Sequence, residues 1–325
     1  HTELYLSPKD SLDVIPELPT IYDEPFADAS QIPTYLISKL ARRMVTVALS
    51  GDGGDELFAG YKRYRSCLGD GKILRWIPDL VKQSVAGLIE TMDRAGWTVF
   101  ALRNIADPVQ RLELRAPGKN LKRIALRMRA SSPVDLLARH HMWCRDATEF
   151  VQNAKSVQTL LTDQSRWPVL SDPVLGMMYL NFADYLPEDV LAKVDRASMA
   201  VGLEVRCPLL DRNLIEFAWS LPASMRFGPD GSKRILRSLL SQYVPRELTE
   251  RPKMGFGVPV DAWIRGPLRE WAEDLLDENL LTKYDLLRPD RVRLTWLQHM
   301  AGYRNHGSLL WNLLMFQSWL RTHGC

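Results

Sequence analysis

Cysteine is scarce in this sequence. The 325 residues include only four cysteines, which lie far apart, at Cys67, Cys144, Cys207 and Cys325. Such wide spacing excludes the closely paired cysteines of structural zinc sites, and four cysteines in a chain of this length do not form a disulfide framework. This usage is typical of a reducing compartment, and we predict a cytoplasmic protein.

An excess of charge of either sign is also lacking. The chain has 42 basic and 39 acidic residues, so its net charge of +3 gives no argument for a nucleic-acid or membrane-surface partner. The segment Arg111–Arg129 is locally basic, but no aromatic side chains lie between its cations for bases to stack on. We therefore predict no nucleic-acid partner.

Long hydrophobic runs are missing as well. The most apolar late stretch, Ser308–Leu320, is shorter than the roughly 18 residues of a membrane span and is interrupted by Asn312 and Gln317. We predict a buried helix there and no membrane partner. With 46% hydrophobic residues, the chain can bury a sizeable core.

The common ligand-binding loops are absent too. The sequence contains no GxxxxGK[ST] Walker loop, and its stretch GDGGDE is not a GxGxxG fingerprint. An EF-hand beginning at Asp52 would need a bidentate glutamate at its twelfth position, where the sequence has Arg63. These absences exclude a P-loop and make a calcium loop a poor interpretation.

What the sequence does have is a helix, a strand and a glycine-rich acidic loop in direct succession. Apolar residues recur at helical spacing after Ile32, and the short β-branched run Met44–Leu49 is typical of a buried parallel strand. The loop Ser50–Glu56, SGDGGDE, follows at the carboxyl end of that strand. Ligands of open α/β sheets bind at this end, so the loop lies where a nucleotide is expected.

The loop has the residue types of a site for a magnesium nucleotide. Gly51, Gly53 and Gly54 allow backbone amides to approach an anion closely. Asp52 and Asp55 flank these amides, and Mg²⁺ is usually held by one or two carboxylates together with substrate phosphates. The alternative from spacing alone is an acidic turn that caps the next helix.

Two lysines beyond the loop are candidate phosphate contacts. Lys253 lies between prolines and glycines in the stretch ERPKMGFGVP, where a held lysine can offset charge on a transferring phosphoryl group. Lys233 lies at the start of a predicted helix, with Ser232 as a candidate cap, where an anion is favoured. The structural alternative is a pair of solvated loop lysines.

A third stretch, Ala183–Asp211, is rich in charged residues around a turn that contains proline. Taken alone, its charges are expected to form surface ion pairs on a helix. The remainder of the chain reads as helices broken by proline and glycine, and we predict no strand beyond Tyr64. The predicted fold class is therefore α/β but mainly helical, with an incomplete sheet in residues 1–65 and a helical remainder in residues 66–325.

Together these stretches resemble the synthetase domain of the glutamine-dependent asparagine synthetases, class B type, and their lactam-forming relatives. The family loop SGDGGDE occurs at Ser50–Glu56 and is followed by LFAGY, while DEPFADASQIPTY precedes it at residues 23–35. The family pattern RAD..MA.G.E.R.PFLD is matched at Val194, Asp195, Arg196, Met199, Ala200, Gly202, Glu204, Arg206, Pro208 and Asp211.

The resemblance implies a partial sheet of the ATP-pyrophosphatase kind and the formation of asparagine. Such enzymes adenylate the aspartate side chain with MgATP, release pyrophosphate and let ammonia derived from glutamine attack the acyl-adenylate. It implies that Asp52, where the family often has glutamate, holds the intermediate and orients ammonia, and that Lys253 neutralises charge. The implied sites are catalytic at Asp52 and Lys253, ATP-binding at Ser50, Gly51, Gly53 and Lys233, and metal-binding at Asp55.

The sequence also departs from the family. It has no SGGxDS pyrophosphate loop, no amino-terminal cysteine nucleophile and no glutaminase domain, and it begins at His1. We therefore expect a fragment of a longer amidotransferase that is inactive by itself, and pyrophosphate release by this chain alone would contradict that. A homodimer is left open. The alternatives are an amidotransferase of a polysaccharide pathway, a lactam synthetase or a non-catalytic helical scaffold.

Overall fold

A computed structural model describes the chain except residues 1, 2, 4, 6, 75, 95–116, 143–146, 156, 229–230, 250–256 and 325. The described chain is mainly helical with few strands, as predicted. Its α-helices are α1 (Pro8–Val14), α2 (Leu18–Ile21), α3 (Gln31–Arg42), α4 (Gly54–Leu57), α5 (Lys62–Leu74), α6 (Asp79–Arg94), α7 (Pro117–Arg129), α8 (Pro133–His141), α9 (Pro173–Leu180), α10 (Ala192–Met199), α11 (Arg212–Ser220), α12 (Ala223–Arg226), α13 (Arg234–Leu240), α14 (Arg246–Thr249), α15 (Val260–Arg265), α16 (Arg269–Leu275), α17 (Glu278–Lys283), α18 (Pro289–Met300) and α19 (Gly307–His323).

Other elements complete the described chain. A π-helix joins α9 to α10 and spans Asn181–Leu191. The strands are β1 (Val47–Leu49), β2 (Glu204–Arg206), β3 (Phe227–Gly228) and β4 (Gly231–Ser232), and short 3-10 helices span Ile15–Glu17, Ala147–Glu149, Gln164–Arg166 and Pro208–Leu210.

The chain divides into two compact units. The first comprises His1–Lys62, Trp167–Val260 and Trp311–Cys325, and the second comprises Arg63–Arg166 and Asp261–Leu310. The glycine-rich loop, both pairs of strands and Lys233 belong to the first unit. The division of the chain at residue 65 that we drew from the sequence stays a prediction.

The strand before the loop pairs with a strand that the sequence did not predict. β1 and β2 are parallel, with Val47 opposite Glu204 and Leu49 opposite Arg206. The prediction of no strand beyond Tyr64 is therefore wrong, because Val205 between two charged residues gives no recognisable hydrophobic run. The predicted burial of β1 is wrong too, since Leu49 is 75% exposed and this sheet has two strands among the described residues.

Helix predictions on both sides of the strand are confirmed. α3 covers the region predicted from Ile32 and has Lys39 and Arg42 in its last turn, where cations suit the helix dipole. α19 contains the predicted buried stretch, and Trp311 and Leu314 are almost fully shielded. Among the described residues, no helix is long and apolar enough to cross a membrane.

The described part of the second unit is mainly helical. α6 and α7 pack together, and Arg129 of α7 pairs with Glu90 of α6 at 2.9 Å. α8 begins at the Ser132 cap and buries Leu136 and Leu137 completely. This unit holds none of the predicted site residues.

Candidate active site

The loop after β1 is fastened to the sheet and to a buried core. Ser50 N–H donates to the carbonyl of Arg206 at 2.8 Å, which extends the β1–β2 ladder by one residue. Leu57, the last residue of the short helix α4, and Phe58, which follows it, are buried in a cluster with Ala218 of α11. The loop between these two attachments therefore has a defined course.

Gly53 turns the chain into α4 and allows a close packing contact. Its φ is +84°, in the left-handed region that favours glycine. A Cβ atom at this position would overlap the Leu210 side chain. Leu210 lies in CPLLD, the end of the second family motif, which is the pattern matched at residues 194–211. Gly53 is buried, whereas Gly51 is exposed and a Cβ atom there would have no atom within 4 Å. The space beside Gly51 is therefore open, whereas the space beside Gly53 is filled by the Leu210 side chain.

Asp52 is half-buried and oriented by Ser50. The Ser50 hydroxyl donates a hydrogen bond to Asp52 Oδ2, and Asp52 N–H donates to Ser50 Oγ at 3.3 Å. Burial raises the pKa of the Cys207 thiol, which follows β2, and the charge of the Asp52 carboxylate raises it further. The loop thus holds one carboxylate in a fixed direction at the carboxyl end of β1.

The structure brings together two predicted site residues, Asp55 and Lys233, that lie far apart in the sequence. Lys233 Nζ is 3.0 Å from Asp55 Oδ1, and about a third of the lysine side chain and a quarter of the aspartate side chain are exposed. Lys233 N–H also donates to the carbonyl of Phe58 at 3.0 Å. The side chain of this lysine is therefore attached to the glycine-rich loop, and its main chain is attached to the residue that follows α4.

Lys233 adopts an unusual backbone conformation as it caps α13. Its φ of +54° lies in the left-handed region, which costs a residue other than glycine roughly 1–2 kcal/mol. The predicted cap at Ser232 is not found, because Ser232 belongs to β4 and Lys233 itself is the N-cap, with no side-chain cap bond. Backbone strain of this kind persists where surrounding contacts impose it, as the Phe58 and Asp55 contacts do here.

The third carboxylate of the loop, Glu56, was not predicted as a site residue. It is 2% exposed and accepts a hydrogen bond from the Tyr61 hydroxyl. Burial raises the pKa of Glu56, and the Tyr61 hydrogen bond opposes the rise. The Tyr61 ring packs edge-on against Tyr185 of the π-helix, with centroids 6.0 Å apart. The end of the loop is thus bound to the π-helix.

Part of the second family motif has a structural role. Arg206 Nε pairs with Glu204 at 2.8 Å, and both side chains are exposed. This surface ion pair lies on the strand β2 and not, as the sequence had suggested, on a helix. Asp211 caps α11 by accepting hydrogen bonds from the backbone of Asn213 and Leu214.

Sequence reasoning missed a shielded ionic cluster around Lys193 of α10. Lys193 is 8% exposed, and its Nζ is 2.5 Å from Asp28 Oδ2 and 3.5 Å from Asp189 Oδ1. Burial, with the Asp28 charge as a further cause, raises the pKa of Asp189 to about 7. The i, i+4 spacing of Asp189 and Lys193 indicates an ion pair between them. Asp28, in contrast, lies in the distant DEPFADAS stretch, and no sequence pattern connects it to Lys193.

The residues of the loop fit a magnesium ion bound with a nucleotide. Mg²⁺ keeps octahedral oxygen ligands and usually takes one or two carboxylates with the rest from phosphates and water. Asp55 offers such a carboxylate, and Asp52 offers another in the same loop. The predicted catalytic residue Lys253 lies outside the described residues.

A family model and several curated proteins that match this chain are described as asparagine synthases or synthetases. A family model described as asparagine synthase matches residues 1–321. Glutamine-hydrolyzing asparagine synthetase 1 of Bacillus subtilis (strain 168) is 28% identical over 317 residues, which are 97% of this chain and 46% of the relative. A putative glutamine-hydrolyzing asparagine synthetase of Mycobacterium tuberculosis (strain ATCC 25618 / H37Rv) is 29% identical over 322 residues, 98% of this chain and 46% of the relative.

A shorter match has higher identity. Putative glutamine-hydrolyzing asparagine synthetase 2 of Methanocaldococcus jannaschii is 52% identical over 61 residues, which are 19% of this chain and 12% of the relative. The chain spans about half the length of the curated relatives that it matches along nearly its whole length. Because the family model covers almost the entire chain, the chain belongs to the asparagine synthase family.

Proposed function

We propose that this chain is the synthetase part of an ATP-dependent carbon–nitrogen ligase that forms asparagine. In this reaction the aspartate side-chain carboxylate attacks the α-phosphorus of MgATP, and the bond to pyrophosphate breaks. Ammonia then attacks the acyl carbon, loses a proton, and displaces AMP to leave the amide. The observation that carries the proposal is the Lys233–Asp55 pair, held on a glycine-rich loop at the carboxyl end of a parallel strand.

The ATP-binding residues of the proposal are Ser50, Gly51, Gly53 and Lys233. Exposed Gly51 leaves room for phosphate oxygens beside the backbone, and Lys233 is a point charge that can move from Asp55 to a phosphate. Gly53 acts by setting the course of the loop. The parallel β1–β2 pair with this loop at its carboxyl end fits a sheet of the ATP-pyrophosphatase kind.

The metal and the reacting groups follow from the loop. Asp55 would hold Mg²⁺, which supplies neutralisation of the charge that develops on the phosphates. Asp52, directed by the Ser50 hydroxyl, can take a proton from ammonium or hold the intermediate near the acyl carbon. Lys253 is assigned to charge neutralisation during adenylation on the family resemblance.

The proposal extends to partners. The chain matches about half of each longer relative, which suits a protein whose glutaminase domain releases ammonia from glutamine. Aspartate, ammonia and MgATP are the small-molecule partners, and a homodimer is compatible with the proposal. Cys67 and Cys207 are free, which suits the predicted cytoplasmic compartment.

The nature of the nucleotide product tests the reaction class. The protein expressed from its whole reading frame is assayed for aspartate-dependent release of AMP and pyrophosphate from MgATP. We expect Asp55→Asn and Lys233→Met to lose this release. Asp13→Asn and Lys9→Met, which change exposed residues of α1 outside the loop, keep it. Release of ADP and phosphate, or equal activity of all four variants, would contradict the proposal.

The acceptor is tested in the same assay. Aspartate should support AMP release, whereas a carboxylated sugar or a lactam precursor should not. Release that depends on either of these in place of aspartate would keep the adenylation chemistry but overturn the assignment to asparagine.

A further inference from the structure

Gly60 lies directly against the Asp55–Lys233 pair. A Cβ atom at Gly60 would overlap both Asp55 Oδ1 and Lys233 Cε, and it would lie 2.8 Å from Asp55 Cγ. Non-bonded carbon atoms pack best at about 3.5–4.0 Å. The ion pair in its observed position therefore has no room for any side chain at residue 60.

Backbone conformation does not explain the glycine. The glycines with positive φ among the described residues include Gly53 and Gly202, but Gly60 is not one of them. Gly60 does not have the positive φ that favours glycine, so the requirement comes from space and not from φ. The neighbouring Ala59, in contrast, has a φ of +55° without being glycine.

The turn around Gly60 is tied to both members of the pair. Gly60 N–H donates to the carbonyl of Asp55 at 2.8 Å, and Lys233 N–H donates to the carbonyl of Phe58 at 3.0 Å. Tyr61, which follows, donates its hydroxyl to the buried Glu56. Because these bonds fix the main chain on both sides, a methyl group at Gly60 would displace the Asp55 and Lys233 side chains before it displaced the turn.

We propose that Gly60 is a positioning residue that admits Lys233 to Asp55, so that the lysine charge is held beside the metal-binding carboxylate before the nucleotide binds. This inference rests on the proposed function for its consequence, the binding of MgATP. Its structural content, the dependence of the ion pair on the absence of a side chain at residue 60, can be measured without any ligand.

The chain offers matched controls for the added methyl group. At Gly54, in the same loop, a Cβ atom would be 3.7 Å from Lys233 Nζ, an ordinary contact, and 2.9 Å from the end of the half-buried Leu209 side chain, which can shift. At Gly69, in α5, a Cβ atom would have no atom within 4 Å. Gly54→Ala and Gly69→Ala therefore add the same group without overlapping the pair.

The test is the acylation rate of Lys233 in the protein expressed from its whole reading frame, measured by peptide mass spectrometry relative to exposed Lys9. We expect Gly60→Ala to raise the Lys233 to Lys9 ratio about fivefold, to the value of Asp55→Asn, because the pair is lost. Gly54→Ala and Gly69→Ala should keep the wild-type ratio. In the Asp55→Asn background, Gly60→Ala should raise the ratio no further. An unchanged ratio in folded Gly60→Ala, or an equal increase in both backgrounds, would overturn the inference.

A second measurement covers the case in which Gly60→Ala folds poorly. Asp55→Ala shortens the side chain that the methyl group would overlap, so Gly60→Ala should lower the urea midpoint less in the Asp55→Ala background than in the wild type. An equal loss in both backgrounds would show that the ion pair is not what Gly60 accommodates.

MgATP titration of the protein expressed from its whole reading frame separates this inference from the proposed function. If both hold, Gly60→Ala weakens MgATP binding as Lys233→Met does. If the wild type binds no MgATP while the labelling pattern is as expected, the proposed function fails and the role of Gly60 stands. If MgATP binds and Gly60→Ala changes neither labelling nor affinity, the role of Gly60 fails and the proposed function stands.

Discussion

Replacing Lys233 by methionine should change the affinities for Mg²⁺ and for MgATP in opposite directions. Methionine keeps the unbranched apolar stem of lysine but removes the ammonium group 3.0 Å from Asp55. Mg²⁺ alone competes with that ammonium for the Asp55 carboxylate, so its removal favours the metal. MgATP in contrast gains a phosphate contact from Lys233 in our proposal, so the same removal weakens its binding.

The magnitudes follow from the exposure of the pair. Fully exposed ion pairs contribute about 0.2–1 kcal/mol, and this one is mostly shielded but still reached by solvent, so we take the upper end, about 1 kcal/mol. Freed from this competition, Asp55 should bind Mg²⁺ about fivefold more tightly. A hydrogen bond to a charged group contributes about 1.5–3 kcal/mol. Because the metal of MgATP regains about 1 kcal/mol at the freed Asp55, the net loss is about 0.5–2 kcal/mol, and MgATP should bind about 2- to 30-fold more weakly.

Isothermal titration of each ligand into the wild type and Lys233→Met, both expressed from the whole reading frame, measures both effects. Asp55→Asn should weaken both ligands, and Lys9→Met should change neither. Tighter binding of both ligands to Lys233→Met, or weaker binding of both, would refute the reasoning, because the metal and phosphate roles could not then be divided between Asp55 and Lys233.

Three further predictions concern shielded ionisable groups. Lys193→Met leaves Asp28 and Asp189 without their shared cation and should lower the free energy of unfolding by about 3–5 kcal/mol. Urea titration measures this loss, and a value below about 1 kcal/mol would contradict a structural role for the cluster. Because the pKa of Asp189 is raised to about 7, its contribution to the free energy of unfolding is present below about pH 4 and is lost as the pH rises to about 7. Asp189→Asn should therefore flatten the plot of unfolding free energy against pH in that range, and an unchanged slope would disprove this. Burial and the Arg265 charge lower the pKa of His299 to about 4, so stability should fall as the pH drops from about 6.5 to about 4, and thermal unfolding of His299→Gln should show a smaller fall.

The local parts of the fold could be predicted from the sequence. The apolar spacing after Ile32 gives α3, and the glycines of SGDGGDE mark the turn that follows β1. Each of these two patterns depends only on residues that are close together in the sequence. The pairing of β1 with Glu204–Arg206 could not be predicted, because strand partners far apart in sequence leave no periodic pattern.

In the candidate site, too, the individual residues could be predicted from local sequence, but the contacts between distant residues could not. Asp55 and Lys233 were each selected from their local surroundings, but their contact arises only when α13 is placed against the loop. The Asp28–Lys193 pair was missed for the same reason. Gly60 was read only as part of a family motif, since the space that it leaves is defined by two side chains from different parts of the chain.

The transfer of oxygen from aspartate to AMP tests the central claim most directly. Aspartate labelled with ¹⁸O in its side-chain carboxylate is incubated with MgATP, glutamine and the protein expressed from its whole reading frame. If the carboxylate attacks the α-phosphorus, one labelled oxygen must be found in the AMP and the other in the asparagine amide. AMP without the label, or the label in inorganic phosphate, would contradict adenylation by this family member.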